Sequence, residues 1–155
     1  MSELRLPYAR LAPEALAKLR DLEHFLTNGT TLDRTLLELV RLRASQVNGC
    51  EYCISVHTGD LRKLNTPEPR IAALSDWRNS DLYTPREKAA LAWTESVTDI
   101  QQGHAPDALF NELRNFFNDA ETVHLTFVIS IINAWNRLAI SLGAHSSRSS
   151  GGASK

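Results

Sequence analysis

The sequence NGCEYCISVH, residues 48–57, contains a helix break followed directly by the start of a new helix. Gly49 favours the left-handed conformation that closes a helix, so Cys50 opens the next one. Cys50 and Cys53 are the only two cysteines among 155 residues, and on a helix this spacing brings them to one face, close enough for a disulfide. His57 falls within roughly 60° of both, at about 100° per residue. A dithiol beside an imidazole can cycle between thiolate, sulfenate and disulfide, which predicts redox chemistry.

Helical spacing recurs on both sides of this stretch, and the period-2 alternation that indicates strands is absent. We therefore predict an all-α fold of about six to seven helices, with the Cys-x-x-Cys pair at a helix N-terminus. The last and longest helix starts from an Asp119 cap, is apolar nearly all round and is predicted to be central. The predicted helices, with their N-caps, cover residues 13–26, 33–47, 50–64, 70–77, 84–100, 107–117 and 119–142.

Length and composition indicate how the chain is organised. A chain of 155 residues is most simply one domain, and at this size it can bury around 70% of its unfolded surface. We predict an all-helical domain over residues 1–143. The Ser/Gly-rich composition of residues 144–155 predicts a disordered tail.

Charge and hydropathy exclude several classes of protein. The net charge of −1, with both signs mixed along the chain, argues against a nucleic-acid or anionic-membrane partner. Residues 1–5 are not followed by an apolar run, so no signal peptide is predicted. Polar residues interrupt the longest apolar stretch, residues 123–142, which predicts a buried helix rather than a membrane span. Two cysteines do not make the disulfide framework of a secreted domain, so we predict a cytoplasmic protein.

A Cys-x-x-Cys pair has several interpretations. Structural zinc takes four ligands from two separated pairs, whereas this chain has one pair and four other, scattered histidines. Two inert core cysteines are a second interpretation, because free cysteine is often buried; His57 on the same face weighs against it. A thioredoxin-like site needs a βαβ context that the chain lacks. A helical dithiol peroxidase or disulfide oxidoreductase remains.

A longer pattern around the pair resembles a known family. Glu38, twelve residues before Cys50, joins Cys50, Cys53 and His57 in a pattern that resembles the active site of the AhpD-like alkylhydroperoxidases of the carboxymuconolactone decarboxylase superfamily. The resemblance covers roughly residues 5–143 and implies an AhpD-like helical bundle with a peroxide-reducing activity. Residues 37–46 and 48–50 around the pattern resemble the family as well, and residues 86–95 and 132–139 resemble recurrent segments of one small single-domain subgroup.

The resemblance also implies roles and partners. Cys53 would be the peroxidatic cysteine and Cys50 the resolving one, while His57 and Glu38 would relay protons. Some relatives carry a histidine between the cysteines; this chain does not, although Tyr52 can serve there as a hydrogen-bond donor. Such a cycle needs no bound metal, flavin or haem. The expected partners are a peroxide substrate, a dithiol or protein electron donor, and further copies of the chain in a trimer or hexamer.

Two features of the sequence conflict with these roles. Exposed N–H groups and the dipole at a helix N-terminus favour the thiolate of the first cysteine, Cys50, over that of Cys53. Glu38 lies roughly 150° from the apolar stripe of its helix, which predicts a solvated carboxylate paired with Arg41 or Arg34.

The sequence thus predicts a cytoplasmic thiol peroxidase that cycles Cys50 and Cys53 between dithiol and disulfide. Two alternatives stay open: a protein disulfide reductase, and a non-enzymatic helical module whose dithiol senses redox state or supports assembly. The decarboxylase reaction itself is not expected, because carboxymuconolactone decarboxylases proper are expected to lack the dithiol. Trp135 and Asn133 on the last helix are interpreted as packing residues, with a place in the lining of the pocket as the alternative.

Overall fold

Eight α-helices and two 3₁₀ segments make up the regular structure within residues 4–143, which the computed structural model describes. No strand occurs in that range, so the predicted all-α fold is confirmed. The tail predicted over residues 144–155 lies outside the described residues, and the domain boundary at 143 stays a prediction. The α-helices are α1 (Tyr8–Leu11), α2 (Pro13–Asn28), α3 (Arg34–Asn48), α4 (Glu51–Lys63), α5 (Glu68–Ala72), α6 (Pro85–Thr98), α7 (Asp107–Arg114) and α8 (Asp119–Leu142), and the 3₁₀ segments cover Ala73–Asn79 and Ile100–Gln102.

The break between α3 and α4 follows from backbone geometry. Gly49 adopts a left-handed conformation with φ 67°, which glycine enters without the Cβ clash that other residues meet. Its N–H donates to the Gln46 carbonyl at 3.2 Å, and the Cys50 N–H donates to the Ser45 carbonyl at 3.0 Å. This pair of bonds closes a helix. Cys50 is then the N-cap of α4, so the Cys-x-x-Cys pair lies at a helix N-terminus as predicted.

Several predicted boundaries are corrected: α1 precedes the first predicted helix, α6 ends at Thr98 and α7 ends at Arg114. The predicted helix 70–77 is instead α5 followed by a 3₁₀ segment, in which Asp76 leaves helical geometry at φ −125°. The cap of α8 is Asn118 rather than Asp119. Its side chain accepts the Glu121 N–H at 2.9 Å, and the Glu121 carboxylate accepts the Asn118 N–H at 3.0 Å. This reciprocal pair requires residues three apart, which places the cap one residue earlier than predicted.

α3, rather than α8, is the central helix. It packs against α4, α6 and α8, and its buried residues lie all round instead of along one stripe. They include three polar side chains, those of Glu38, Arg41 and Ser45. Burial of such groups is costly in free energy unless they form hydrogen bonds. The buried residues of α3 are Leu36, Leu37, Glu38, Leu39, Val40, Arg41, Leu42, Ala44 and Ser45.

α8 buries only one face. Leu125 and Ile129 are fully buried, whereas Val123 and Phe127 are 53% and 48% exposed. The prediction that α8 is central is therefore wrong for a single copy of the chain, because the helices that pack on it, α2, α3, α4, α6 and α7, leave Val123 and Phe127 uncovered. By length and composition alone α8 could cross a membrane, a test that the core helices of soluble proteins also pass.

Candidate functional site

Cys50 and Cys53 form a disulfide across the first turn of α4, with their Cα atoms 5.3 Å apart. The predicted closeness of the two cysteines is confirmed. Cys50 is fully buried, and its sulfur accepts the backbone N–H of Cys53 at 3.3 Å. Cys53 is 4% exposed and borders a cavity. The two bonded sulfurs therefore lie in different environments.

A cavity of about 240 Å³ opens beside Cys53 and is formed by four helices. Burial raises the pKa of Tyr8, with Tyr52 adding to the rise and Arg20 opposing it. The Tyr8 hydroxyl therefore stays protonated and can donate a hydrogen bond to a bound molecule. The lining residues are Tyr8 from α1, Arg20 and Glu23 from α2, Tyr52, Cys53, Val56 and His57 from α4, and Trp135 and Ala139 from α8.

Glu38 and His57 meet where α3 packs on α4. Oε2 of Glu38 lies 2.7 Å from Nδ1 of His57, and each residue is 8% exposed. The solvated Glu38 predicted from periodicity is therefore wrong. Periodicity identifies one buried face, whereas residues of α2 and α4 also cover the opposite side of α3.

The Glu38 carboxylate is held in its ionised form. Burial alone would raise its pKa, but the hydrogen bond and charge of His57, followed by the charge and hydrogen bond of Arg41, outweigh burial and lower the pKa below its ordinary value of 4.5. An ionised carboxylate only accepts hydrogen bonds, so Nδ1 of His57 carries the hydrogen. In the neutral ring Nε2 is then the basic nitrogen. The pair can accept a proton at Nε2 and stabilise the resulting charge.

Arg41 completes this cluster, and its burial is not apparent from the sequence. Its Nη1 donates to Oε1 of Glu38 at 2.7 Å, and its Nη2 donates to Oγ1 of Thr27 at 2.7 Å. The carboxylate of Glu23 lies 3.9 Å from its Nε. The predicted pairing of Glu38 with Arg41 therefore exists, but in the interior instead of on the surface. A planar guanidinium with two fixed partners orients the carboxylate so that its other oxygen faces His57.

Glu38, His57 and Asp60 bring ligand atoms within 4.8 Å of one another, a spacing at which three side chains can hold a metal ion. Both oxygens of Glu38 are already engaged, by Arg41 and His57, and Asp60 accepts a hydrogen bond from Lys63 at 2.9 Å. A metal ion would also lie close to the positive charge of Arg41, which repels it. The arrangement therefore fits a proton relay better than a metal centre.

A partly buried polar network supports the turn that carries Cys50. Nδ2 of Asn48 donates to Oδ1 of Asn133 at 2.9 Å and to Oδ1 of Asn136 at 2.8 Å. Nδ2 of Asn136 donates to the hydroxyl of Ser45 at 3.0 Å. These bonds join α8 to the last turn of α3, directly before the helix break. Asn133 thus has a structural role, in agreement with its interpretation as a packing residue.

Trp135 and Tyr52 both line the cavity beside Cys53. For Trp135 this is the alternative to a pure packing role, and its buried indole N–H has no hydrogen-bond partner among residues 4–143. Tyr52 is exposed beside it, and its role as a hydrogen-bond donor stays a prediction. Neither position can be derived from one helix, because α1, α2, α4 and α8 form the cavity together.

Comparison with known proteins identifies relatives of this chain. Residues 13–96 match the model of the carboxymuconolactone decarboxylase family. The uncharacterized protein YdfG of Bacillus subtilis (strain 168) is 40% identical over 139 residues, which cover 90% of this chain and 94% of YdfG.

Two solved structures share the helical arrangement. A protein of unknown function from Agrobacterium tumefaciens, described as a candidate AhpD antioxidant defence protein, has a TM-score of 0.87 and 38% identity over 90% of this chain and 95% of its own. A peroxidase-related protein with an alkylhydroperoxidase AhpD core, from Ralstonia eutropha JMP134, has a TM-score of 0.78 over 88% of this chain and 73% of its own. At 20% identity the second likeness shows the fold alone.

Proposed function

This chain belongs to the carboxymuconolactone decarboxylase family and has an AhpD-like helical fold, and on that premise we propose that it is a thiol-dependent peroxidase. Its substrate is hydrogen peroxide or an organic hydroperoxide, and Cys50 and Cys53 carry the electrons. One observation carries the proposal: Cys53 and His57 line the same cavity, and His57 is bonded to a buried, ionised Glu38. A thiol with a base held by a third group is the arrangement that activates a sulfur nucleophile.

In the oxidative half of the cycle, Nε2 of His57 takes the proton of the Cys53 thiol. A base is needed because a thiol with a pKa of about 8.5 is mostly protonated at neutral pH. The thiolate attacks one peroxide oxygen, the O–O bond breaks, and the electron pair leaves on the other oxygen. His57 returns the proton to that oxygen, which departs as water or an alcohol, and Cys53 becomes a sulfenic acid. Because its pKa is lowered, Glu38 stays ionised, and its negative charge stabilises the protonated ring of His57 until the leaving group takes the proton.

Cys50 then resolves the sulfenic acid. Its thiolate attacks the Cys53 sulfur, hydroxide departs and takes up a proton to become water, and the disulfide forms. The backbone N–H of Cys53, already 3.3 Å from the Cys50 sulfur, favours that thiolate, as does the helix N-terminus. The helix-dipole argument thus supports Cys50 as the resolving residue, whereas the cavity supports Cys53 as the attacking one.

We also propose that the chain assembles with copies of itself, in a trimer or hexamer in the cytoplasm. The exposed face of α8, with Val123 and Phe127, joins Phe110 of α7 in lining an apolar groove. Contiguous exposed apolar surface of this kind commonly marks an interface. Light scattering at micromolar concentration measures the mass. A clean species at 17.3 kDa, the mass of one chain, would contradict assembly.

A steady-state assay with peroxide and dithiothreitol tests the enzymatic proposal. The wild type should turn over, Cys53→Ser should not, and the matched control Ser55→Ala, an exposed position on the same helix, should keep the wild-type rate. In Cys50→Ser, dimedone should trap a sulfenic acid on Cys53. Stoichiometric peroxide should lower the free thiols of the wild type from two to zero per chain. Oxidation without turnover would favour a sensor, and reduction of insulin disulfides in place of peroxide would favour a disulfide reductase.

A further inference from the structure

The two sulfurs of the disulfide differ in access. Cys50 has no exposed surface, does not line the cavity and packs in a small apolar cluster with residues of α8. Cys53 is 4% exposed and lines the cavity. A thiolate that breaks a disulfide must reach one sulfur from the side away from the other. Approach through the cavity therefore leads to Cys53.

The two sulfurs also differ as leaving groups. A disulfide is cleaved faster when the departing thiolate is the more stable one. The Cys50 sulfur caps α4 and accepts the Cys53 N–H at 3.3 Å. The positive end of the helix dipole adds to this stabilisation of the departing thiolate, and the two effects together oppose the cost of burying its charge. Access and electrostatics therefore agree on which sulfur is attacked and which one leaves.

We infer that the reductant attacks Cys53 and that Cys50 leaves as the thiolate. A bond forms between the reductant sulfur and Sγ of Cys53 while the Cys50–Cys53 bond breaks, and its electron pair passes to Sγ of Cys50. A second thiolate of the reductant attacks the reductant sulfur of this mixed disulfide and releases Cys53. The reductant is oxidised to a disulfide and the protein regains its dithiol. The reductant is thus a dithiol, or two molecules of a thiol.

This inference rests on the proposed peroxidase function, since the peroxide cycle is what creates the need for a reductant. It gives Cys53 both contacts with external molecules: Cys53 attacks the peroxide, and the reductant later attacks Cys53. Peroxide and reductant therefore enter the same cavity in turn. Cys50 reacts only with Cys53.

Trapping of the mixed disulfide tests the inference without peroxide. Oxidised wild-type protein is mixed with excess reduced glutathione and quenched at intervals with N-ethylmaleimide, and the peptide that contains both cysteines is sequenced by mass spectrometry. We expect glutathione on Cys53 and maleimide on Cys50 in most of the trapped species. Glutathione on Cys50 and maleimide on Cys53 would overturn the inference.

If the mixed disulfide is too short-lived to trap, a second measurement compares the reactivity of the two cysteines directly. Cys50→Ser and Cys53→Ser each leave one thiol, whose reaction with methyl methanethiosulfonate is followed at a pH of about 9.5, where an ordinary thiol is largely ionised. Circular dichroism checks that both variants keep the helical fold. Cys53 should react at least about tenfold faster than Cys50, because a buried thiol is shielded from reagents. Equal rates, or a faster Cys50, would refute the inference.

These outcomes are separable from those of the peroxidase assay. Exchange at Cys53 without peroxide turnover would retain this inference and remove the proposed function. Peroxide turnover with exchange at Cys50 would retain the proposed function and overturn this inference.

Discussion

Glu38 and Glu95 are two largely buried carboxylates that are held in a similar way but surrounded by different chemistry. Glu95 accepts hydrogen bonds from Nε of Arg43 at 2.8 Å, from the indole of Trp77 at 2.9 Å and from Nη1 of Arg78 at 2.7 Å. Burial would raise the pKa of both carboxyl groups, and in both the hydrogen-bonding partners outweigh burial and lower it. The direction of the pKa shift therefore does not distinguish the two clusters.

The partners of the two carboxylates do distinguish them. Arginine and tryptophan keep their protons at any pH near neutral, so the Glu95 cluster can only fasten α6 to α3 and to the 3₁₀ segment Ala73–Asn79. Histidine is the side chain that exchanges a proton near neutral pH, and His57 also lines the cavity beside Cys53. A lowered carboxylate pKa thus indicates a reactive site only when a titratable partner and access to a cavity accompany it.

The largest expected difference between the two clusters is in the rate of peroxide reduction by Glu38→Gln and by Glu95→Gln. We expect Glu38→Gln to slow peroxide reduction by about 10²-fold or more, because His57 loses the charge that stabilises its protonated form. Glu95→Gln should leave the rate per folded molecule nearly unchanged. Steady-state rates are compared at a temperature where circular dichroism shows both variants folded. An equal loss of rate in both variants would mean that Glu38 is as structural as Glu95.

The same two variants should both lose stability. Glu38→Gln leaves the buried Arg41 with only the more distant carboxylate of Glu23, 3.9 Å away, as its counter-charge, and breaking a buried ion pair typically costs about 3 kcal/mol. Glu95→Gln should cost less, about 1–3 kcal/mol, because Arg78 is exposed and can be solvated. Urea denaturation measures both values. A fully stable Glu38→Gln would contradict the buried ion pair.

His57→Gln, compared with Trp77→Phe, removes one donor from each carboxylate and leaves the arginines in place. His57→Gln should lower the rate about 10²-fold through loss of the base, while Trp77→Phe should cost about 1 kcal/mol of stability and no activity. The defect of His57→Gln should shrink above a pH of about 8.5, where the thiol ionises unaided. A rate defect that is independent of pH would indicate that His57 only holds the structure.

Local signals explain the parts of the fold that the sequence predicts well. The capping box of α6, in which Thr84 and Glu87 bond reciprocally, depends only on residues three apart. The break at Gly49 likewise depends on the backbone of one residue. The same rule favours Asn118 over Asp119 as the cap of α8, because Glu121 lies three residues after Asn118; the predicted boundary overlooked it.

Tertiary packing explains what could not be predicted from the residues alone. The periodicity of α3 assumes one buried face, so it misplaces Glu38 and Arg41, which other helices cover on the far side. Only the family resemblance pointed to Glu38. Tyr8 and Trp135 meet at one cavity although 127 positions separate them in the sequence, and no local pattern relates such distant residues.

Acid denaturation should reveal the property that the two carboxylates share. Each pKa is lower in the folded protein than its ordinary value of 4.5, so the unfolded chain binds more protons between the folded and unfolded values, and stability rises with pH across that window. The contribution of each group is complete above about 4.5 and is lost as pH falls through the folded pKa. The wild type should therefore lose stability as pH falls from about 5 towards 3.

Both glutamine variants sharpen this last test. Each removes one of the two titrating groups, so the free energy of unfolding of Glu38→Gln and of Glu95→Gln should depend less steeply on pH than that of the wild type. Glu68 on the surface also has a lowered pKa, from its hydrogen bond to Arg62, and raised salt screens that exposed pair more than the buried ones. Urea midpoints at several pH values in raised salt therefore isolate the buried carboxylates. If the free energy of unfolding of either variant depends on pH as steeply as that of the wild type, the carboxylate removed in that variant does not contribute to the pH dependence of stability. The two clusters would then share their geometry but not this electrostatic property.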